Sequence, residues 1–105
     1  EANIARWLNH LIVAERVKEW QYEPQEFVFA TIKRGTGRFY KPDFKIIYDD
    51  GEEVFWEVKG YLDAASKTKL RRMKKFFPDV KVEVIDKNAY LDIQNDACRI
   101  IANWE

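Results

Sequence analysis

The chain has 105 residues, with 18 Lys and Arg against 18 Asp and Glu, so its formal net charge is zero. That length fits one domain with a single modest core, and 47% hydrophobic with 15% aromatic residues describe a globular protein rather than a disordered one. No stretch approaches the roughly eighteen apolar residues of a membrane span, and the single Cys98 excludes an internal disulfide and a cysteine metal cluster, which suits a reducing, cytoplasmic compartment.

The chain opens at Glu1 without a methionine, a charged n-region or an apolar h-region, so a trimmed chain is expected rather than a secreted precursor. From Ala2 to Lys18, the residues Ile4, Leu8, Leu11 and Ile12 recur at helical spacing and predict one amphipathic helix. Tyr22-Glu23-Pro24 ends it, and Glu26 to Ile32 reads as a strand with Pro24 at its leading edge. Lys33 to Arg38 is a loop, because Gly35 and Gly37 give the backbone unusual freedom. Phe44 to Tyr48 and Glu53 to Val58 are strand-like runs joined by the hairpin signal Asp49-Asp50-Gly51. Ala64 to Phe77 is a second helix with Leu70, Met73 and Phe77 on one stripe, closed off by Pro78. Val80 to Ile85 alternates as a strand, and Asn88 caps a last helix whose Ile93, Ala97, Ile100 and Trp104 share a face. The order α-β-β-β-α-β-α predicts an α/β (mixed α+β) fold, one mixed sheet flanked by helices in a single domain over residues 1–105.

Charge is neutral in sum and uneven along the chain. Lys33, Arg34, Arg38, Lys41 and Lys45 crowd one segment in which Asp43 is the only acid. Lys67, Lys69, Arg71, Arg72, Lys74 and Lys75 crowd a second with no acid at all, and from Asp86 onward the balance tips acidic. Two such segments can present one positive face to a nucleic acid. Solvated faces of an ordinary soluble protein are the competing reading.

The first hairpin carries the chemistry. Asp43 and Glu57 each lie seven positions from Asp50, the middle of the turn, so a simple register sets them opposite each other on one face of the sheet. Directly opposed Cβ atoms lie about 4.5–5.5 Å apart, and two carboxylates at about 5 Å repel by about 3 kcal/mol at an effective dielectric of about 20. Such a pair needs a proton, a cation or solvent between its members. Lys59 projects to the same face by strand alternation, while Phe44, Ile46 and Tyr48 meet Val54, Trp56 and Val58 on the opposite, apolar face. Two carboxylates suit a hard divalent ion, and a neighbouring lysine can position a nucleophile or offset charge on a phosphate. The competing reading is a surface salt bridge between Lys59 and one of the acids.

Tyr40-Lys41-Pro42-Asp43-Phe44, followed by Trp56-Glu57-Val58-Lys59-Gly60, resembles the PD-(D/E)xK nuclease signature. The α-β-β-β-α-β order resembles that superfamily's restriction-endonuclease-like core, here with an additional C-terminal helix. The resemblance covers nearly the whole chain and is strongest to small phage nucleases of the junction-resolving endonuclease I type, then to archaeal Holliday-junction resolvases. It implies Asp43 and Glu57 as ligands of Mg²⁺, for which Mn²⁺ can substitute, with the Val58 carbonyl as a third ligand. Glu1 resembles the helix acid that completes the site, and Lys59 would orient the attacking water. Glu15 and Glu19 are alternative helix acids, and Glu26 is a further one on the neighbouring strand.

A Mg²⁺-dependent DNA endonuclease is therefore the expected function, structure-selective for branched DNA, homodimeric and of phage or bacterial origin by resemblance. Lys33, Arg34, Arg38, Lys41, Lys67, Lys69, Arg71, Arg72 and Lys74 would hold the DNA backbone by phosphate contacts. Tyr61 either stacks against DNA or packs on the second helix. His10 reads as structural, Cys98 as a buried small apolar residue, and Trp7, Trp20, Trp56 and Trp104 as core anchors. The alternatives are a nicking or end-processing subunit of a replication, packaging or transposition assembly with a partner protein, a non-catalytic DNA-binding module, and a plain protein-interaction domain. No P-loop, dinucleotide fingerprint or nucleophile elbow is present.

Overall fold

Ile4 and Leu8 sit one helical turn apart and are both fully buried, which seats α1 (Ala2–Val13) on a sheet. This computed structural model describes residues 2–29 and 39–101. The expectations for Glu1, for residues 30–32 of the second strand, for the loop with Lys33, Arg34 and Arg38, and for Trp104 lie outside the described residues.

The first helix does not reach Lys18. It ends at Val13, Glu15 adopts a left-handed φ of 60°, and the Arg16 N–H closes on the Leu11 carbonyl at 2.9 Å. The chain then enters β1 (Val17–Tyr22), where a helix had been expected to finish. The reason is phase. Val17 lies nine positions beyond Leu8, and at about 100° per residue a continued helix would turn it to the far side. As a strand residue Val17 is instead 1% exposed and joins the same core as Leu8.

Only Phe27 and Val28 of the expected second strand are extended among the described residues, as β2 (Phe27–Val28). It pairs antiparallel with the unforeseen β3 (Phe39–Tyr40) in a separate two-stranded sheet, with Phe27 opposite Tyr40. The expected hairpin follows as β4 (Phe44–Tyr48) and β5 (Glu53–Val58), its turn closed by Gly51 at φ 89°. Next come α2 (Ala64–Phe76), β6 (Val82–Ile85) and α3 (Lys87–Ile100). Asp63 caps α2 by accepting the Ser66 N–H at 2.8 Å. Asp86, not Asn88, caps α3, accepting the Ala89 N–H at 2.9 Å.

The main sheet has the order β1-β4-β5-β6. Its first three strands are antiparallel neighbours and β6 runs parallel to β5, the crossover being made by α2. Helices α1 and α3 cover one face, through Ile4, Leu8, Ala89 and Ile93 against Phe44, Ile46, Val54 and Trp56. Helix α2 and the small sheet cover the other, through Met73 and Leu70 against Phe27, Tyr40 and Phe55. The fold is thus mixed α/β, a mixed sheet with three helices among the described residues. No helix among them is long and apolar enough to cross a membrane.

Candidate active site

The β4–β5 register pairs Phe44 with Trp56 and Ile46 with Val54, all of them in the α1/α3 core. The ladder ends at the Phe44–Trp56 pair, and just beyond it Asp43 and Glu57 lie close enough for the Asp43 charge to act on Glu57. The backbone ladder stops there because Pro42, fully buried, has no N–H to give. Asp43 is pinned at that end. Its N–H donates to the Trp56 carbonyl at 3.1 Å and its carbonyl accepts the Glu23 N–H at 2.8 Å. Its carboxylate Oδ2 accepts the Val58 N–H at 2.7 Å, which fixes the side chain against β5.

Glu57, half-buried, accepts the Tyr40 hydroxyl hydrogen on Oε2 at 3.0 Å. Burial first, and the Asp43 charge second, hold the Glu57 carboxyl above its ordinary range, against the opposing pull of the Tyr40 bond, Lys59 and Lys69. Burial and the neighbouring Glu57 push the Tyr40 hydroxyl far above its ordinary value, so it acts as a fixed donor. The two acids therefore do share one site. Among the described residues no third Asp, Glu, His or Cys joins them to make a group of three metal-ligating side chains.

Lys59 follows on the same face. Its N–H holds the Ile85 carbonyl at 3.1 Å, and its ammonium donates to Ser66 Oγ on the first turn of α2 at 2.7 Å. Among the described residues its ammonium forms no ion pair with Asp43 or Glu57, although its charge acts on the Glu57 carboxyl. Asp63, capping the same turn, is held below its ordinary range chiefly by its bond to Ser66, with Lys59 and Lys69 adding to the effect. Between Tyr40, Lys41, Glu57, Lys59, Ser66 and Lys69 lies a recess of about 140 Å³.

Of the basic residues singled out, Lys67, Arg71, Lys74 and Lys75 are exposed on α2, Arg72 is half-buried, and Lys69 turns toward the recess. Lys41 is exposed and lies 3.7 Å from Glu23. Glu15 and Glu19 are not helix acids, since Glu15 is in the turn after α1 and Glu19 is exposed on β1. Glu26 is exposed just ahead of β2. Tyr61 is 79% exposed, which rules out packing against α2. Cys98 is exposed rather than buried, because the α3 phase turns its neighbour Ala97 inward instead. Ile100, expected on that inner stripe, is 55% exposed. Trp56 is a core residue, Trp7 and Trp20 pack against the same core, and His10 lies 5.5 Å from the Trp7 ring.

Sequence reasoning passed over Tyr40, Asp63 and Ser66 as site residues. Asp63-Ala64-Ala65-Ser66 has the spacing of a helix N-cap, a signal that would have found two of them. Comparison of the chain with protein-family models, with curated proteins and with solved structures found no match in any of the three.

Proposed function

We propose that this chain is a metal-dependent endonuclease of PD-(D/E)xK type acting on DNA. The observation that carries the reading is the hairpin end, where the Asp43 charge acts on the Glu57 carboxyl and Lys59 lines the same recess as Glu57. With β2 and β3 set apart in their own small sheet, the order α1, β1, β4, β5, α2, β6 supports the resemblance, although its first strand is Val17–Tyr22 and not the expected Glu26 to Ile32. A basic helix without a single acid borders the same site.

The donor set suits a hard divalent ion. Mg²⁺ is commonly held by one or two carboxylates, its other positions going to waters and substrate phosphate. Asp43 and Glu57 are the residues that would hold it, with the Val58 carbonyl as a third donor, and a cation relieves the repulsion that raises the Glu57 carboxyl. When bound, Mg²⁺ supplies charge neutralisation at the phosphate and a more acidic water. Tyr40 fixes the Glu57 carboxylate by its hydrogen bond, and the Val58 N–H fixes that of Asp43. Lys59, tethered to Ser66, presents a cation on the same face to offset charge on the phosphate oxygens. The exposed cations of α2 hold the flanking backbone.

Preference for branched DNA and a homodimeric state are carried by the resemblance to junction-resolving nucleases. The competing reading is a DNA-binding module without catalysis, for which the exposed cations of α2 would suffice. Cleavage of a labelled four-way junction and its matched linear duplex decides between them, with Mg²⁺ or EDTA, using wild type and Asp43→Asn. Mg²⁺-dependent cutting lost in the variant supports the nuclease. Salt-sensitive binding without cutting supports the binding module.

A further inference from the structure

We infer that the groove between α2 and the outer edge of β6 docks an extended, acidic segment of a partner protein, which joins the main sheet as an extra strand. Hydrogen bonding comes first. Strand β6 is last in the order β1-β4-β5-β6, and among the described residues no strand pairs with its outer side. The Lys81 carbonyl accepts the Phe55 N–H at 2.9 Å and the Ile85 carbonyl accepts the Lys59 N–H at 3.1 Å, so these residues bond toward β5. Successive strand residues turn their backbone groups to opposite edges, which leaves the N–H and C=O groups of Val82 and Val84 facing outward. Such a row is a template for another strand, and no proline or bulge interrupts Val82–Ile85 to blunt it.

The groove beside that edge is apolar. Val82 pairs with Phe55 in the α2-side core, and alternation sets Val80 and Val84 on the same side. With Leu70, Met73 and Pro78 they line a groove of about 500 Å³, within the roughly 300–1,000 Å³ of ligand clefts. At about 3.3 Å per residue β6 spans about 13 Å, and an added strand would set side chains into the groove about 6.6 Å apart. An alternating segment can therefore bury a pair of apolar side chains there while its backbone extends the ladder. Leu70 is the wall between this groove and the recess beside Glu57, so the segment lies alongside the candidate site without entering it.

Charge selects the occupant. Lys74 stands on the α2 rim of the groove, whereas Lys81 on the strand side is already held by Glu52 at 2.6 Å. Behind the rim, α2 carries lysines and arginines without a single acid. An acidic segment gains from that field. A second copy of the chain does not, because twofold pairing at β6 would bring two basic helices together on one face of the continued sheet. Nucleic acid offers no row of N–H and C=O groups to match the edge.

The test is amide hydrogen exchange and NMR titration of the full chain with a short synthetic peptide that alternates valine with glutamate. In the free chain the Val82 and Val84 amides should exchange quickly, and those of Glu83 and Ile85 slowly. The peptide should shift and protect Val82 and Val84 saturably. Methylating its valine nitrogens, or in a second peptide its glutamate nitrogens, blocks opposite edges of the extended chain. One should abolish binding and the other leave it intact. Lys74 is exposed, so Lys74→Glu keeps the fold and should weaken binding about fivefold. A peptide with lysine in place of glutamate should bind more weakly than the acidic one. Absence of binding, no loss from either methylation, or equal affinity for the lysine peptide would overturn the proposal. So would Val82 and Val84 amides already protected in the free chain; protection that grows with protein concentration would give the edge to a second copy. Shifts of both amides with a DNA duplex but not with the peptide would give it to nucleic acid.

Discussion

Tyr40 lies in the small β2–β3 sheet and Glu57 in the main sheet, and the 3.0 Å hydrogen bond between them ties the two sheets together at the carboxylate pair. Tyr40 is 4% exposed and its ring stacks near Phe27, so Tyr40→Phe keeps the packing and deletes only the hydroxyl. The variant should lose about 1.5–3 kcal/mol in urea denaturation, the range for a bond to a charged acceptor. Mg²⁺ affinity, measured by calorimetry, should fall several-fold, because Glu57 is no longer held in one orientation. Stability equal to wild type would show that the bond contributes nothing.

The raised Glu57 carboxyl has a definite consequence for pH. Between the ordinary glutamate value and the higher folded one, the folded chain retains a proton that the unfolded chain has released. Stability in EDTA should therefore fall as pH rises through that window, and the penalty is complete once Glu57 is ionised in the folded chain. Glu57→Gln removes this contribution while its amide oxygen still accepts from Tyr40. Urea denaturation from acid to neutral pH should give a flatter profile for the variant, with stability at neutral pH at or above wild type. An identical slope in the two proteins would show that Asp43 and burial do not act on Glu57 as described.

Adding the ion should reverse that penalty. A ligand that binds only the folded chain stabilises it by about 2.7 kcal/mol when present at about 100 times its dissociation constant. Wild type should gain on that scale with Mg²⁺ in a thermal or urea transition. Asp43→Asn should gain little, although its amide oxygen can still accept the Val58 N–H and preserve the hairpin end. Equal stabilisation of both proteins would move the ion elsewhere.

The helix caps offer a test independent of any activity. Asp86 accepts the Ala89 N–H at 2.9 Å, while Asn88 is exposed within the first turn of α3. Asp86→Ala should cost about 1 kcal/mol, and Asn88→Ala should stay within about 0.5 kcal/mol of wild type. The opposite ranking in urea denaturation would restore Asn88 as the cap.

These cases show where sequence reading succeeds and why. The pairing of Phe44 with Trp56 and Ile46 with Val54 was legible because one short turn fixes the register of the hairpin. The packed face was legible because Phe44, Ile46, Val54 and Trp56 alternate without interruption. Strand β1 was not legible, and a bulge explains it. The register shifts between Val17 and Glu19, so Val17 and Trp20, three apart, both pack against the α1/α3 core. That spacing imitates a helix. Tyr40 was missed as a site residue because its partner is 17 positions away and on another sheet, a contact that no local pattern encodes.

The outer face of α2 separates electrostatic holding from chemistry. Met73 is 2% exposed and Leu70 packs beside it against the small sheet, which fixes the helix rotation and leaves Lys67, Arg71 and Lys74 exposed on the far side. Cations that contact phosphates release counterions, so log affinity falls with log salt by about 0.9 per phosphate neutralised in duplex DNA. Replacing these three residues with alanine should weaken duplex binding for all sequences alike and reduce the salt slope by about three. The Mg²⁺-driven stabilisation should be unchanged, since none of the three touches Asp43 or Glu57. A slope that stays at the wild-type value would show that DNA approaches from another side, and the basic helix would then be only a solvated surface.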